Sequence, residues 1–172
     1  MTQLVTLTGG CQCGAVRYSA GIARETAHLC HCRMCQKATG NYFMPLASAP
    51  LSALTITRGT ISTFASSAAV KRGFCNRCGT PLTFELGGAD SIGIALGSLD
   101  NPAAIEPCSQ SGVESRMPWF RQLAALRQEL SGAGEKDEGA RIAQVAASNR
   151  QHPDHPADQW PGNPAPEPAR SR

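Results

Sequence analysis

Seven short runs in the first hundred residues alternate apolar with polar positions or carry β-branched residues. They are 4–8 (LVTLT), 14–20 (GAVRYSA), 41–47 (NYFMPLA), 54–59 (LTITRG), 60–66 (TISTFAS), 81–86 (PLTFEL) and 91–99 (SIGIALGSL). Gly, Pro or Ser separates them, the pattern of antiparallel strands joined by turns. Leu54 and Ile56 fall on alternate positions, as do Leu82, Phe84 and Leu86, so each set is expected on one core-facing side of its strand. After Pro118 the period changes. Leu123, Leu126 and Leu130 recur at helical spacing, which predicts a helix over 119–130 that SGAG (131–134) stops. Ile142 and Val145 mark a second helix over 134–148. Six of the twelve prolines fall within 151–172, so that end is expected to be an extended tail. The fold class expected is mainly β, with antiparallel sheets, short C-terminal helices and an extended tail. The expected division is a domain over 1–130 and a helical, Pro-rich extension over 131–172.

Composition narrows this picture. Of the 172 residues, 41% are hydrophobic but only 5% aromatic, which makes the β core aliphatic and modest. Bound metal would supply stability that such a core lacks. No apolar run approaches the ~18–20 residues of a membrane span. MTQLVTLTGG lacks a basic stretch followed by a long apolar one, so no secretory signal is read. The expectation is a cytoplasmic protein without a membrane partner, whose thiols stay reduced. Eight cysteines then need a use other than disulfides, and metal binding is the leading one. The net charge of +3 comes from scattered residues rather than a basic patch interleaved with aromatics, which argues against a nucleic-acid partner. A zinc held by four thiolates carries a formal −2 and one held by three carries −1, enough together to cancel that charge.

The cysteines cluster as GGCQCG (Cys11, Cys13), CHCRMC (Cys30, Cys32, Cys35) and FCNRCG (Cys75, Cys78), with Cys108 alone. A C-x-x-C turn points both sulfurs at one ion, and Gly79 stands where such a turn needs positive φ. Gly9, Gly10 and Gly14 are expected to serve Cys11 and Cys13 in the same way. Seven clustered cysteines divide economically as four plus three: two pairs in a closed site and a triplet with an open fourth position. Spacing does not force this, and Cys11 and Cys13 could instead join the triplet. The polar neighbours Gln12, His31, Arg33, Asn76 and Arg77 do not belong in a core, which disfavours reading these thiols as buried apolar residues. Cys108, by contrast, reads as a small buried residue. His28 and His31 are conceivable ligands, although His31, between two cysteines, is expected to point away. Arg33 and Lys37 read either as solvated charges or as groups that lower a thiol pKa or hold a substrate carboxylate.

In this order, the runs GGCQCGAVRY, LCHCRMCQKATG, RGFCNRCGTPLTF, GSLDNPAAIEP and VESRMPWF resemble the glutathione-dependent formaldehyde-activating enzyme family, which includes centromere protein V. The resemblance covers roughly residues 9–120. It implies the β-tent fold, a structural zinc on Cys11, Cys13, Cys75 and Cys78, and a catalytic zinc on Cys30, Cys32 and Cys35. It further implies a carbon–sulfur lyase acting on S-(hydroxymethyl)glutathione or a related thiol adduct, with glutathione and formaldehyde as small-molecule partners. Many relatives carry a His near the position of Gln110. The segment RQHPDH (150–155) resembles a compact segment in one subgroup.

A proton donor for the carbonyl is not identified by sequence; His31, Ser98, Asp100 and Arg116 are polar candidates. Asp100 reads equally as a turn residue. Trp119 and Phe120 read as a pocket wall or as anchors of the last helix. The alternative to an enzyme is a zinc-ribbon-like module that binds protein or nucleic acid through closed sites. A zinc-regulated redox switch built on the triplet is a third reading.

Overall fold

The computed structural model describes residues 3–130, 138–149 and 151. Among the described residues, ten strands form two sheets. The smaller has three strands, β1 (Leu4–Gly10), β2 (Arg17–Ala23) and β5 (Leu54–Arg58), in the order β1-β2-β5. The larger contains β3 (His28–Cys30), β4 (Met44–Pro50), β6 (Ser62–Ala65), β7 (Val70–Phe74), β8 (Pro81–Leu86), β9 (Ser91–Ala95) and β10 (Ser109–Ser111), in the order β10-β3-β4-β9-β8-β7-β6. Every pairing is antiparallel except β10 with β3. The mainly β reading therefore holds. No helix among the described residues is long and apolar enough to cross a membrane.

Several expectations are corrected. The cysteine-bearing stretches also hold structure that the apolar pattern misses: β3, β7, β10 and the helix α1 (Arg33–Thr39). β3 and β10 are three residues long and α1 seven, too short for a period to show, and β7, as VKRGF, does not alternate. The helix expected over 119–130 is a 3-10 turn over Phe120–Ala125, and Leu126 and Leu130 are exposed. A leucine spacing without a surface to pack on does not sustain a helix. The second helix is present as α2 (Glu138–Ser148). The SGAG stop, the segment after Gln151 and the tail lie outside the described residues.

Leu82, Phe84 and Leu86 do not share one face. β7 pairs Gly73 with Thr83 and Phe74 with Pro81, which skips Leu82. This bulge turns Leu82 into the main core, while Phe84 and Leu86 face a separate cleft. On β5, Leu54 is half-buried and Ile56 exposed.

Two cores result. The main one packs Tyr18, Ile22, Leu82, Ile94, Leu96 and Ile105 around Cys11 and Cys75. The smaller one packs Met44, Leu46 and Ala95 around Cys35, with Cys30, Cys32 and Phe84 against it. Each sulfur cluster therefore has its own apolar bed. Gly9 is required by packing rather than by φ, which is not positive there. A Cβ on it would lie 2.5 Å from the Tyr18 hydroxyl and 2.6 Å from the Ser98 carbonyl. That buried Tyr18 hydroxyl is 2.7 Å from Ser98 Oγ, which itself donates to the Ala95 carbonyl. Tyr18→Phe should therefore cost about 1 kcal/mol. A lowered urea midpoint with unchanged m-value is the expected result.

Candidate metal and active site

Cys11, Cys13, Cys75 and Cys78 place their sulfurs within 4.8 Å of one another, and Cys30, Cys32 and Cys35 do the same in a second group. All are free thiols.

The four-cysteine group closes two turns from distant parts of the chain. Cys11 and Cys13 follow β1, where Gly14 (φ 70°) turns the backbone and its N–H donates to the Cys11 carbonyl. Cys75 and Cys78 follow β7, where Gly79 (φ 77°) donates to the Cys75 carbonyl. Positive φ is costly for any side chain, which accounts for both glycines. Gly10, like Gly9, instead lies within β1. Backbone N–H groups already aim at sulfur: Val16 at Cys11 Sγ (3.2 Å) and Arg77 at Cys75 Sγ (3.4 Å). The Cys11–Cys13 and Cys13–Cys75 sulfur separations are 3.6 and 3.8 Å. A tetrahedron with Zn–S near 2.3 Å has an edge of about 3.8 Å, which these two separations match.

The three-cysteine group is local. Cys30 ends β3, Cys32 caps α1 by accepting from the Cys35 N–H (3.4 Å), and Cys35 is buried beneath. These sulfurs form the floor of a cleft of about 330 Å³ walled by β4, β7, β8 and β9. Arg72, only 6% exposed, reaches Cys35 Sγ from β7 with Nη2 (3.5 Å). His28 also lines the cleft, with Nδ1 2.9 Å from the Thr26 carbonyl.

Thiol energetics differ from sulfur to sulfur within both groups. Burial pushes the Cys11 thiol far up, opposed only by the Val16 N–H, and burial also raises Cys13. Burial pushes Cys35 up to about 12 despite the Arg72 guanidinium. Cys78 goes the other way. Burial would raise it, but the Thr80 hydroxyl and nearby N–H groups outweigh that and bring it to about 6. Cys30 is also lowered, because the Cys32 N–H and the Ser111 hydroxyl overcome its burial. Packed thiols thus ionise unequally, since thiolates at this spacing repel unless a cation sits among them.

The remaining sequence candidates fall elsewhere. His31 is fully buried, outside both sulfur groups, with Nε2 3.0 Å from Gln110 Oε1 and its ring edge-on to Phe120. Gln110 also accepts from Arg116 (3.2 Å), so the residue standing near the relatives' His orients His31 instead. Asp100 accepts from Arg17 (2.8 Å) and Thr8 (2.6 Å), and Ser98 serves Tyr18. Asp100 and Ser98 border a groove beside the four-cysteine group. None of His31, Ser98, Asp100 and Arg116 lines the three-cysteine cleft. Trp119 stacks edge-on with Tyr42, and Phe120 with Phe43, so both anchor the closing segment rather than wall the cleft. Arg33 is tied to Gln36 Oε1 (2.9 Å), and neither it nor Lys37 lines the cleft. Cys108 is exposed, not buried, and its thiol donates to the Glu25 and Ala27 carbonyls.

Sequence reasoning missed Arg72 and Gln36. Arg72 sits in RGFC three residues before Cys75 and directly after Lys71, so its position alone did not mark it as the one turned inward. Gln36 is buried and its amide donates to the His31 and Ser115 carbonyls, fixing the backbone beside the triplet.

A crystal structure of a Rhodobacter sphaeroides protein is similar to this chain at 24% identity and a TM-score of 0.52, over 61% of this chain and 100% of that one. Likeness at that level carries the shared fold. The family model for the glutathione-dependent formaldehyde-activating enzyme matches residues 6–114, the stretch that holds both sulfur groups, and the chain belongs to that family.

Proposed function

We propose that this chain is a zinc-dependent carbon–sulfur lyase acting on S-(hydroxymethyl)glutathione or a related thiol adduct. The observation that carries the reading is the asymmetry of the two sulfur groups. Four sulfurs close on one another, whereas three face a cleft with no fourth ligand from the described chain. In this reading Cys11, Cys13, Cys75 and Cys78 hold a structural zinc, and Cys30, Cys32 and Cys35 hold a catalytic one. Residues 1–130 form the working domain and 131–172 an extension. The cytoplasm, where thiols stay free, is the compartment this chemistry suits.

The reaction joins a thiol to formaldehyde. A sulfur–carbon bond forms, the carbonyl π-bond breaks, and the thiol proton ends on the carbinol oxygen; the lyase direction reverses each step. A zinc on the triplet supplies a position where the incoming thiol is held as thiolate, the nucleophilic form. The chain's own groups do the rest. Cys30, Cys32 and Cys35 fix the place of attack on a strand end and a helix cap. The Arg72 guanidinium offsets the negative charge that three thiolates bring into a buried site. The apolar walls keep water from competing for the carbonyl. A closed binding module would have no use for the cleft.

Purified protein should hold about two zinc ions per chain. Cys32→Ser should keep the fold and lose one ion, whereas Cys78→Ser should lose fold and metal together, read by metal analysis and circular dichroism. One ion per fully repleted wild-type chain would remove the division into two sites.

Loading the apoprotein at pH 7.5 should release fewer than seven protons per chain, because Cys78, at about 6, has already lost its own. Cys35, at about 12, is still protonated there, so its proton competes with the metal and affinity rises with pH. Calorimetry in buffers of different ionisation enthalpy checks both.

Exchange NMR of formaldehyde with a thiol should show faster interconversion of free and adduct forms in the presence of zinc-loaded protein. An exchange rate left unchanged by a fully loaded sample, whichever thiol is present, would remove the lyase reading.

A further inference from the structure

The cleft over the triplet is walled largely by carbon. Met34, Leu46, Val70, Phe84 and Leu86 line it, and Met34 and Leu86 are about half exposed at its edge. Strand alternation keeps Lys71 and Glu85 out, so that among the described residues Arg72 and His28, whose Nδ1 is held by the Thr26 carbonyl, are the basic side chains that line it. On β7, Val70 and Arg72 line the cleft while Lys71 between them is exposed and does not. On β8, Phe84 and Leu86 line it while Glu85 does not. Arg72 is therefore the only Lys or Arg side chain among the described residues that lines the cleft.

That one guanidinium is already committed. Its Nε donates to Ser66 Oγ (3.2 Å), Nη1 to Met44 Sδ (3.7 Å) and Nη2 to Cys35 Sγ (3.5 Å), and it lies 5.1 Å from the centre of the Phe84 ring. It serves the sulfur floor rather than the space above it. Glutathione carries two carboxylates and an ammonium. A carboxylate leaving water needs a cation or convergent donors in return, and burying it against carbon is costly.

We propose that the cleft selects a thiol with a neutral, apolar body, so that the substrate class is the formaldehyde adduct of an apolar thiol rather than of glutathione. This rests on the reading above that a thiol enters at Cys30, Cys32 and Cys35. The side chains that set the preference are Met34, Phe84 and Leu86, which meet the body of the thiol while its sulfur lies at the triplet.

The test titrates cobalt-loaded full-length protein with benzyl mercaptan and with glutathione, read by the visible spectrum of the metal. Benzyl mercaptan should bind about tenfold tighter or more. Leu86→Arg, a change at an exposed edge position, should narrow that ratio by strengthening glutathione. Glutathione binding as tightly as benzyl mercaptan in the wild type, or a ratio unmoved by Leu86→Arg, would overturn the proposal and leave the thiol reading standing. A spectrum that neither thiol perturbs would overturn both.

Discussion

Thiols packed to sulfur–sulfur distances of 3.6 and 3.8 Å cannot all ionise unless a cation lies among them, and the rest of the structure is arranged around that constraint. Burial alone drives Cys11 and Cys35 toward the protonated form. Protonated sulfurs at these positions would be ordinary small core residues. The N–H groups of Val16 and Arg77 aimed at sulfur, and the guanidinium against Cys35, fit the charged form instead. N–H groups aimed at sulfur favour the thiolate form, and thiolates at this spacing are compatible with a bound metal ion.

The two groups differ in what such a cation would do for the chain. Cys13 and Cys75 are 62 residues apart, so an ion there closes a long loop and removes entropy from the unfolded chain, much as a disulfide would. It also ties the turn after β1 to the turn after β7, joining elements of separate sheets. Cys30, Cys32 and Cys35 lie within six residues and close almost nothing. Metal at the triplet adds little to stability by this route, which frees that site to exchange ligands. In the proposed reading, sequence separation would assign stability to the four-cysteine group and reactivity to the triplet.

The sequence made the chemistry more legible than the fold around it. Cysteine spacing and the glycines after Cys13 and Cys78 are local, and local features survive without tertiary information. The strand pattern was readable where alternation ran for five residues or more, as in β1, β5 and β8. It failed at β3, β7 and β10, whose faces are set by neighbouring strands and not by their own periodicity. The fate of Leu82 shows why: one skipped residue in the pairing of β7 with β8 moves it into a different core from Phe84. Leu126 and Leu130 kept a helical spacing but found no partner surface. Arg72 was invisible for a related reason. Its counterpart is Cys35, 37 residues away, and in VKRGF nothing local tells whether Lys71 or Arg72 turns inward.

Charge placement then links the site to its surroundings. Arg17 and Asp100 form a conventional partly solvated pair beside the four-cysteine groove, where each carries the other's counter-charge. Arg72 is buried and is seen bonded to a hydroxyl and two sulfurs rather than to a carboxylate. A buried guanidinium is tolerated when something anionic balances it, and three thiolates around a divalent ion leave one negative charge to do so. With a divalent ion bound as proposed, arginine and triplet would neutralise one another within the floor of the cleft. A neutral floor under apolar walls would exert little pull on a charged ligand, so affinity there would fall to the metal–sulfur bond and to the carbon surface around it.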